Sequence, residues 1–474
     1  MEDVLREAVE LAVSLGAEYA EARLQEVEAY GFALRNGVQE PPTFRGDRGV
    51  YVRVSVDGCL GFASTNSLGR GSIVKLAEEA VKAGSAARKL GYRTRFSQES
   101  AVKARWSTPV QRAFENVPLE EKMELLKVID GGLADINGEA KLPARFLGYQ
   151  ELRELSKFIN SEGSEVEATV ERVGFSAILT AYKPGVGSAQ RLIQKGGSGG
   201  WEVVEKWSLE EAVKREGEVL ARTLKEGKRP PRRRVDVVLG PEVVGIICHE
   251  SCGHPQEADR IMGREAAQAG KSYLRPDMLG YRVGSEHVTI VDDPTLPSSY
   301  GYYMFDDEGV KAGERVLIEK GVVKSFLHNR ETAGEFGVKS NGSARSSGYD
   351  KEPIVRMANT YMKPGDHRFE ELIEEIHLGL FVKSFMEWNI DDRRFHQRYV
   401  GLEAYLIEKG ELKGLVRNPV LELTTPGLYG SVDAASRRVE FEAALCGKGD
   451  PMQAVPVWHG GPEIRLKNIR LGER

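Results

Sequence analysis

The chain has 474 residues, 41% hydrophobic and 29% charged, with 66 Lys and Arg against 71 Asp and Glu. That length exceeds what one ordinary core organises, so two domains are expected. A formal net charge of −5 argues against a general nucleic-acid or anionic-membrane binder, which needs a basic excess.

The N-terminus carries acids among its apolar residues, with Val4, Leu5, Ala8, Val9 and Ala12 on one helical face. It reads as an amphipathic helix and not as a signal peptide. Asn36-Gly37 marks a two-residue hairpin turn, and Gly49 to Val56 alternates as a strand. Helical patterns follow near 73–89 and 118–136. Asn160 to Gly163 forms a turn before a strand from Val166 to Tyr182. Ser208-Leu209-Glu210-Glu211 has capping-box spacing and opens a helix to about Leu224. Two prolines among basic residues from Lys225 to Arg234 form a linker. The boundary is placed there, giving an N-terminal α/β domain over 1–227 and a β-rich domain over 228–474, an α+β chain overall.

The second half opens with a buried strand, Val235 to Leu239, and a helix begun by Pro241. Two segments echo each other, Leu317-Ile318-Glu319-Lys320-Gly321 and Leu406-Ile407-Glu408-Lys409-Gly410. Both read as hairpins, either as related halves or as convergent turns. No stretch of about 18 uninterrupted apolar residues occurs, so no transmembrane helix is expected. Four cysteines (Cys59, Cys248, Cys252 and Cys446) do not make a disulfide framework. A reducing cytoplasm fits these features.

The chemistry concentrates in Cys248-His249-Glu250-Ser251-Cys252-Gly253-His254-Pro255. The common zinc-peptidase helix spaces its histidines i and i+4, about 40° apart. Here the spacing is i and i+5, about 140° apart on a regular helix. One ion can be shared only if the helix carries a π-bulge or ends early. Gly253 and Pro255 supply the distortion, and Pro255 disfavours α geometry at His254. Glu250 points towards the open side as a candidate general base. Catalytic zinc takes three protein ligands and leaves a position for water. Candidates for the third are Cys446, His287, His396, His459, Cys248 and Cys252. Cys446 lies in a glycine-rich turn, with Lys448 near to favour its thiolate, whereas Cys248 and Cys252 suit apolar packing.

Several motifs together resemble the TldD/PmbA family, described as modulators of gyrase and regarded as metallopeptidases. They are His249 to His254 with Glu257 after it, Phe305-Asp306-Asp307-Glu308-Gly309, Arg330-Glu331-Thr332-Ala333, Arg356-Met357-Ala358-Asn359-Thr360, and Cys446-Gly447-Lys448 with Gln453 and Pro456-Val457. In the N-terminal half, Gly16 to Ala20, Asn36-Gly37, Gly49-Val50 and Asn160 to Gly163 also agree. The match is to the TldD branch, since the PmbA (TldE) branch lacks the metal ligands. The resemblance implies metal ligands at His249, His254 and Cys446, and a catalytic Glu250. It also implies unfolded peptides as substrates, and a homodimer or a heterodimer with a PmbA/TldE-like subunit. Phe305 departs from the family's usual tyrosine.

A Zn²⁺-dependent peptidase is the reading that follows. Alternatives are a catalytically silent partner subunit and a hydrolase of non-peptide amides. The acids Asp306-Asp307-Glu308 could orient substrate, bind a second cation or form a solvated turn. Arg356 and Asn359 fit bracing better than substrate contact.

Overall fold

A computed structural model describes residues 1–91, 93–136, 138–265 and 270–472. Long strands dominate the first half. Cys59–Thr65, Thr43–Val56, Tyr19–Arg35, Lys141–Asn160 and Glu165–Lys183 lie side by side, all antiparallel. The far strand then pairs with Lys103–Ser107 along one stretch and with Gly187–Ser198 along another. Asn36 and Gly37 take positive φ between Arg35 and Val38, which face each other, as the Asn-Gly pair predicts.

Helices Glu2–Ser14 and Arg70–Ala87 cover one end of this sheet. Leu5, Ala8, Val9 and Ala12 are buried there against Ile73, Ala77 and Val52. Helices Leu119–Ala134 and Leu209–Glu226 close a second core around Leu126, Leu147, Phe175 and Leu220. The capping box expected at Ser208 does not form. Ser208 sits at φ 46°, ψ 50°, and its side chain caps nothing. A side-chain N-cap needs extended backbone, which this left-handed residue lacks.

The second half is built on two six-stranded sheets. One runs Val322–Val323, Arg315–Glu319, Ile290–Asp292, Asn359–Met362, Gln453–Gly461, Glu440–Lys448. The other runs Glu411–Leu415, Ala404–Glu408, Leu378–Val382, Val235–Leu239, Ile464–Ile469, Val432–Ala435. The two echoed segments are hairpins, each forming the outer edge of a different sheet. Lys320-Gly321 and Lys409-Gly410 turn at positive φ.

The helix Pro241–Cys248 packs against the first of these sheets, and residues 243–248 are all buried. Its fit is close at Gly245, where a Cβ would lie 2.9 Å from the Gly460 backbone nitrogen. One core joins this helix to both sheets.

Buried ion pairs tie the halves together. Arg53 donates to Glu21 at 2.9 Å within its own sheet and to Glu308 at 2.6 Å across the junction. Arg330 donates to the Ser97 carbonyl and to Glu162. The acidic segment 306–308 is therefore not a solvated turn. Asp306 accepts backbone N–H bonds from Glu308, Val310 and Ala344. Asp307 pairs with Arg23. Among the described residues, no helix is long and apolar enough to cross a membrane.

Candidate metal centre

At the end of Pro241–Cys248 the chain widens into a π-helical turn over His249–Gly253, then tightens to a 3₁₀ turn at His254–Gln256. The N–H of His254 closes onto the carbonyl of His249, five residues back. This is the distortion that the histidine spacing predicts. It brings the two rings to 4.8 Å between centroids at 81°. The cause differs in detail from expectation. His254 keeps right-handed helical dihedrals (φ −60°, ψ −45°) despite the following proline. Gly253 is needed for clearance, since a Cβ there would overlap the sulfur of Met357.

Cys446 completes the cluster. It lies within the strand Glu440–Lys448 and not in the expected turn. Its Sγ is 3.2 Å from His249 Nε2 and 3.4 Å from His254 Nε2. The three donor atoms all lie within 4.8 Å of one another, and all three residues are buried. Tetrahedral zinc, with Zn–N about 2.0–2.1 Å and Zn–S about 2.3 Å, needs N···S edges of about 3.5 Å. The donor set and its spacing therefore fit such an ion.

Burial alone would raise the Cys446 thiol, but His254, His249 and Arg356 hold it well below the usual thiol range. Lys448, expected to stabilise the thiolate, instead serves the residues behind His254. Arg356 braces the strand by donating to the carbonyls of Cys446 and, at 2.8 Å, Gln453.

A layer behind His254 fixes its ring. Glu257 Oε2 is 2.9 Å from His254 Nδ1 and accepts from Arg260 at 2.5 Å. Lys448 Nζ stands 3.3 Å from the same oxygen and donates to Asp259 at 2.7 Å. Burial works against the Glu257 carboxylate, yet Lys448, His254 and Arg260 hold it far below the ordinary range. A carboxylate on Nδ1 fixes the tautomer that frees Nε2 for a metal. The sequence shows Glu257 three residues after His254 but gives no sign of this role. The sequence marks Lys448 two residues after Cys446, but as a neighbour of the thiolate and not of Glu257.

Glu250 lines a cavity of about 580 Å³ together with His249, His254, Cys446, Arg394 and His459. It forms a close ion pair with Arg394. Arg394 stands at φ 63°, is buried, and belongs to no motif that would reveal it. Burial lowers its pKa to about 10, against the opposing pull of Cys446. His459 is buried beside His249, with 6.0 Å between rings, and burial with the charge of His249 pushes it down to about 3. It lies outside the three-donor cluster. His287 and His396 are exposed and apart from it. Cys248 and Cys252 are fully buried in the apolar core. Asn359 bonds to Asp293, Ser299, Gly301 and Trp458, a bracing role.

Residues 20–84, 112–226 and 232–473 match, in that order, domain 1, the central domain and the C-terminal domain of the PmbA/TldA metallopeptidases. The chain belongs to the PmbA/TldD metallopeptidase family. A metalloprotease of Methanothermobacter thermautotrophicus is 34% identical over 96% of this chain and 95% of its own. A zinc metalloprotease TldD homolog of Saccharolobus solfataricus is 33% identical over 52% of this chain and 53% of its own. Two crystal structures share the fold. A protein named as a modulator of a DNA gyrase from Thermotoga maritima has TM-score 0.77 at 20% identity, covering 99% of this chain and all of that one. TldE from Thermococcus kodakarensis has TM-score 0.72 at 17% identity, with the same coverage. The PmbA/TldD relatives named as metalloproteases give this chain a metallopeptidase-family function.

Proposed function

We propose that this chain is a zinc-dependent peptidase of the TldD type that hydrolyses unfolded or short peptides. The observation that carries the reading is the convergence of His249, His254 and Cys446 at a cavity that also holds Glu250. Two imidazoles and a thiolate suit zinc by donor softness. When bound, such an ion supplies Lewis acidity that polarises a scissile carbonyl and acidifies water. Glu250 takes the proton from the attacking water on its carboxylate and returns it to the departing amine. Arg394 orients that carboxylate and places positive charge where an oxyanion develops. A silent partner subunit would need a broken donor set, and this one is complete.

The strand carrying Cys446 is paired along one side with Gln453–Gly461 and, among the described residues, has no ladder on the other. An extended peptide can add to that edge through main-chain hydrogen bonds with little sequence reading. Folded proteins cannot present such a strand, which supports unfolded chains as substrates. A homodimer or a pairing with a PmbA/TldE-like subunit remains part of the proposal, tested by mass measurement alone and after mixing.

Glu250→Gln tests the mechanism. Zinc content should stay at the wild-type level while cleavage of a denatured protein falls at least a hundredfold. Cleavage at the wild-type rate would remove Glu250 as the base. Equal cleavage of a stable folded protein and its denatured form would remove the edge-strand basis for selectivity.

A further inference from the structure

The cavity at the metal donors is not isolated. A second one, of about 300 Å³, lies beyond the strand Glu440–Lys448. Gln194, Lys195 and residues 443–445 line both. Lys195 pairs with Glu442 at 3.0 Å where the two cavities meet. At that volume the second cavity is at the small end for ligand pockets, about 300–1,000 Å³. It is sized for a side chain and not for a whole ligand.

Its chemistry differs from that of the first. Phe146 and Tyr300 contribute aromatic walls on the sheet face of Gly148 and Gly174, while Phe32, Tyr149 and Phe175 pair across the strands and pack their rings into the core on the opposite face. Lys195 is the one charged side chain among its described lining residues, and no carboxylate is among them. The metal cavity is lined instead by Arg191, Glu216, Glu242, Lys383 and Arg394 besides the donors. Glycines make room for the Tyr300 wall. Gly174 and Gly196 face each other on neighbouring strands, and a Cβ on either would come within 3.0 Å of the Tyr300 side chain. Arg172 fixes the same loop by donating to the carbonyls of Tyr300 and Tyr302.

Strand geometry connects the two cavities. Neighbouring residues of a strand face opposite ways, so Leu445 stands opposite to Cys446. Leu445 is 56% exposed and lines the aromatic cavity. A peptide lying along this edge also alternates. Side chains on the Cys446 side would then face the metal-donor cavity, and those between them the aromatic one. Residues 443–445 are one to three positions from Cys446, a reach of about 3–10 Å at about 3.3 Å per residue.

We propose that the aromatic cavity is a side-chain subsite of the peptide channel, taking an uncharged apolar or aromatic residue at alternating register with the residues that face the metal donors. The proposal rests on the peptidase reading for its occupant. Aromatic walls reward an apolar or ring side chain. The absence of a carboxylate among the described lining residues gives Lys or Arg no partner, and their burial there is unfavourable.

The test uses full-length zinc-loaded Glu250→Gln protein and fluorescein-labelled ten-residue Gly/Ser/Ala peptides. A single Phe, Asp or Lys is moved through each position. In anisotropy titrations, Phe at one position, or at two positions two apart, should bind at least tenfold tighter than Gly, with Asp and Lys no better than Gly. In a Phe146→Ala/Tyr300→Ala background, that preference should vanish while the all-Gly/Ser/Ala peptide binds as before. No positional preference, or one that survives the double change, overturns the subsite. Should the double variant fail to fold, p-benzoylphenylalanine at the preferred position reports on the unaltered cavity. Crosslinks must include a residue that lines this cavity and not the metal-donor cavity (31–33, 41, 43, 146, 148–150, 174–176 or 300), and crosslinks confined elsewhere overturn it. Cleavage of the same peptides by wild-type protein is scored separately. No cleavage of any of them defeats the peptidase reading, while the anisotropy series still decides the subsite.

Discussion

Replacing Glu257 with Gln separates metal-site design from simple packing. The carboxylate is fully buried, and its Oε2 serves His254, Arg260 and Lys448 at once. Gln can still offer a carbonyl oxygen to His254 Nδ1, so the ring stays in place. The lost quantity is negative charge behind the imidazole. Partners of this kind are worth about 10–100-fold in metal affinity, or about 1.4–2.7 kcal/mol. Stability should fall as well. Breaking a buried pair outright costs about 3–5 kcal/mol. Lys448 keeps Asp259 and the Val355 carbonyl, so the smaller figure is the ceiling. Zinc dissociation constants from chelator competition, at pH 7.5 and fixed salt, measure the first effect; thermal unfolding of the metal-free forms measures the second. If Glu257→Gln binds zinc within twofold of wild type while losing stability, Glu257 merely packs, and the second-layer argument is wrong.

Three other predictions follow from buried groups. Cys446→Ser should keep the fold by circular dichroism and reduce zinc retained after dialysis to less than half; full retention would move the third donor elsewhere. Arg53→Met leaves the carboxylates of Glu21 and Glu308 buried without their guanidinium, a loss of about 3–5 kcal/mol. At about 2–4 °C per kcal/mol for a large domain, the thermal midpoint should drop roughly 6–20 °C, and an unchanged midpoint would refute the bracing role. Burial lowers the pKa of His328 to about 4, below about 6.5 for an unfolded chain. A depressed folded pKa gives stability that is present above pH 6.5 and lost as pH falls towards 4, about 3 kcal/mol across that window. His328→Asn should flatten this part of the pH profile of the melting temperature, and an identical slope would exclude His328 as its source.

What the chain disclosed in advance was local in origin. The Asn36-Gly37 turn, the face of the first helix and the two Lys-Gly hairpins follow from contacts within a few residues, where periodicity and turn chemistry act. The capping box that the spacing predicts at Ser208 does not form, because spacing does not report backbone dihedrals and a left-handed residue cannot place its hydroxyl over the helix end. Arg394 gave no signal. Its value lies in ending beside Glu250, 144 positions away in the chain, and no spacing rule spans that distance.

The candidate metal centre lies between these cases, and the reason is geometric. The i, i+5 spacing of His249 and His254 is incompatible with a shared ion on a regular helix, so the anomaly itself required a π turn, and a π turn is present. Eight neighbouring residues, Cys248 to Pro255, carry that requirement. The third donor required knowing which sheet edge passes the end of this helix, which depends on Gln453–Gly461 packing against Gly245 and pairing with Glu440–Lys448. Residue chemistry alone leaves Cys446 among six candidates, and the family resemblance is what singles it out in the sequence. The fold places its sulfur, on a strand that among the described residues is paired on one side only, against two nitrogens from the core helix. On the proposed function, a metal held there joins the rigid core to the strand with which a peptide pairs, so cleavage occurs where the bound chain is most ordered.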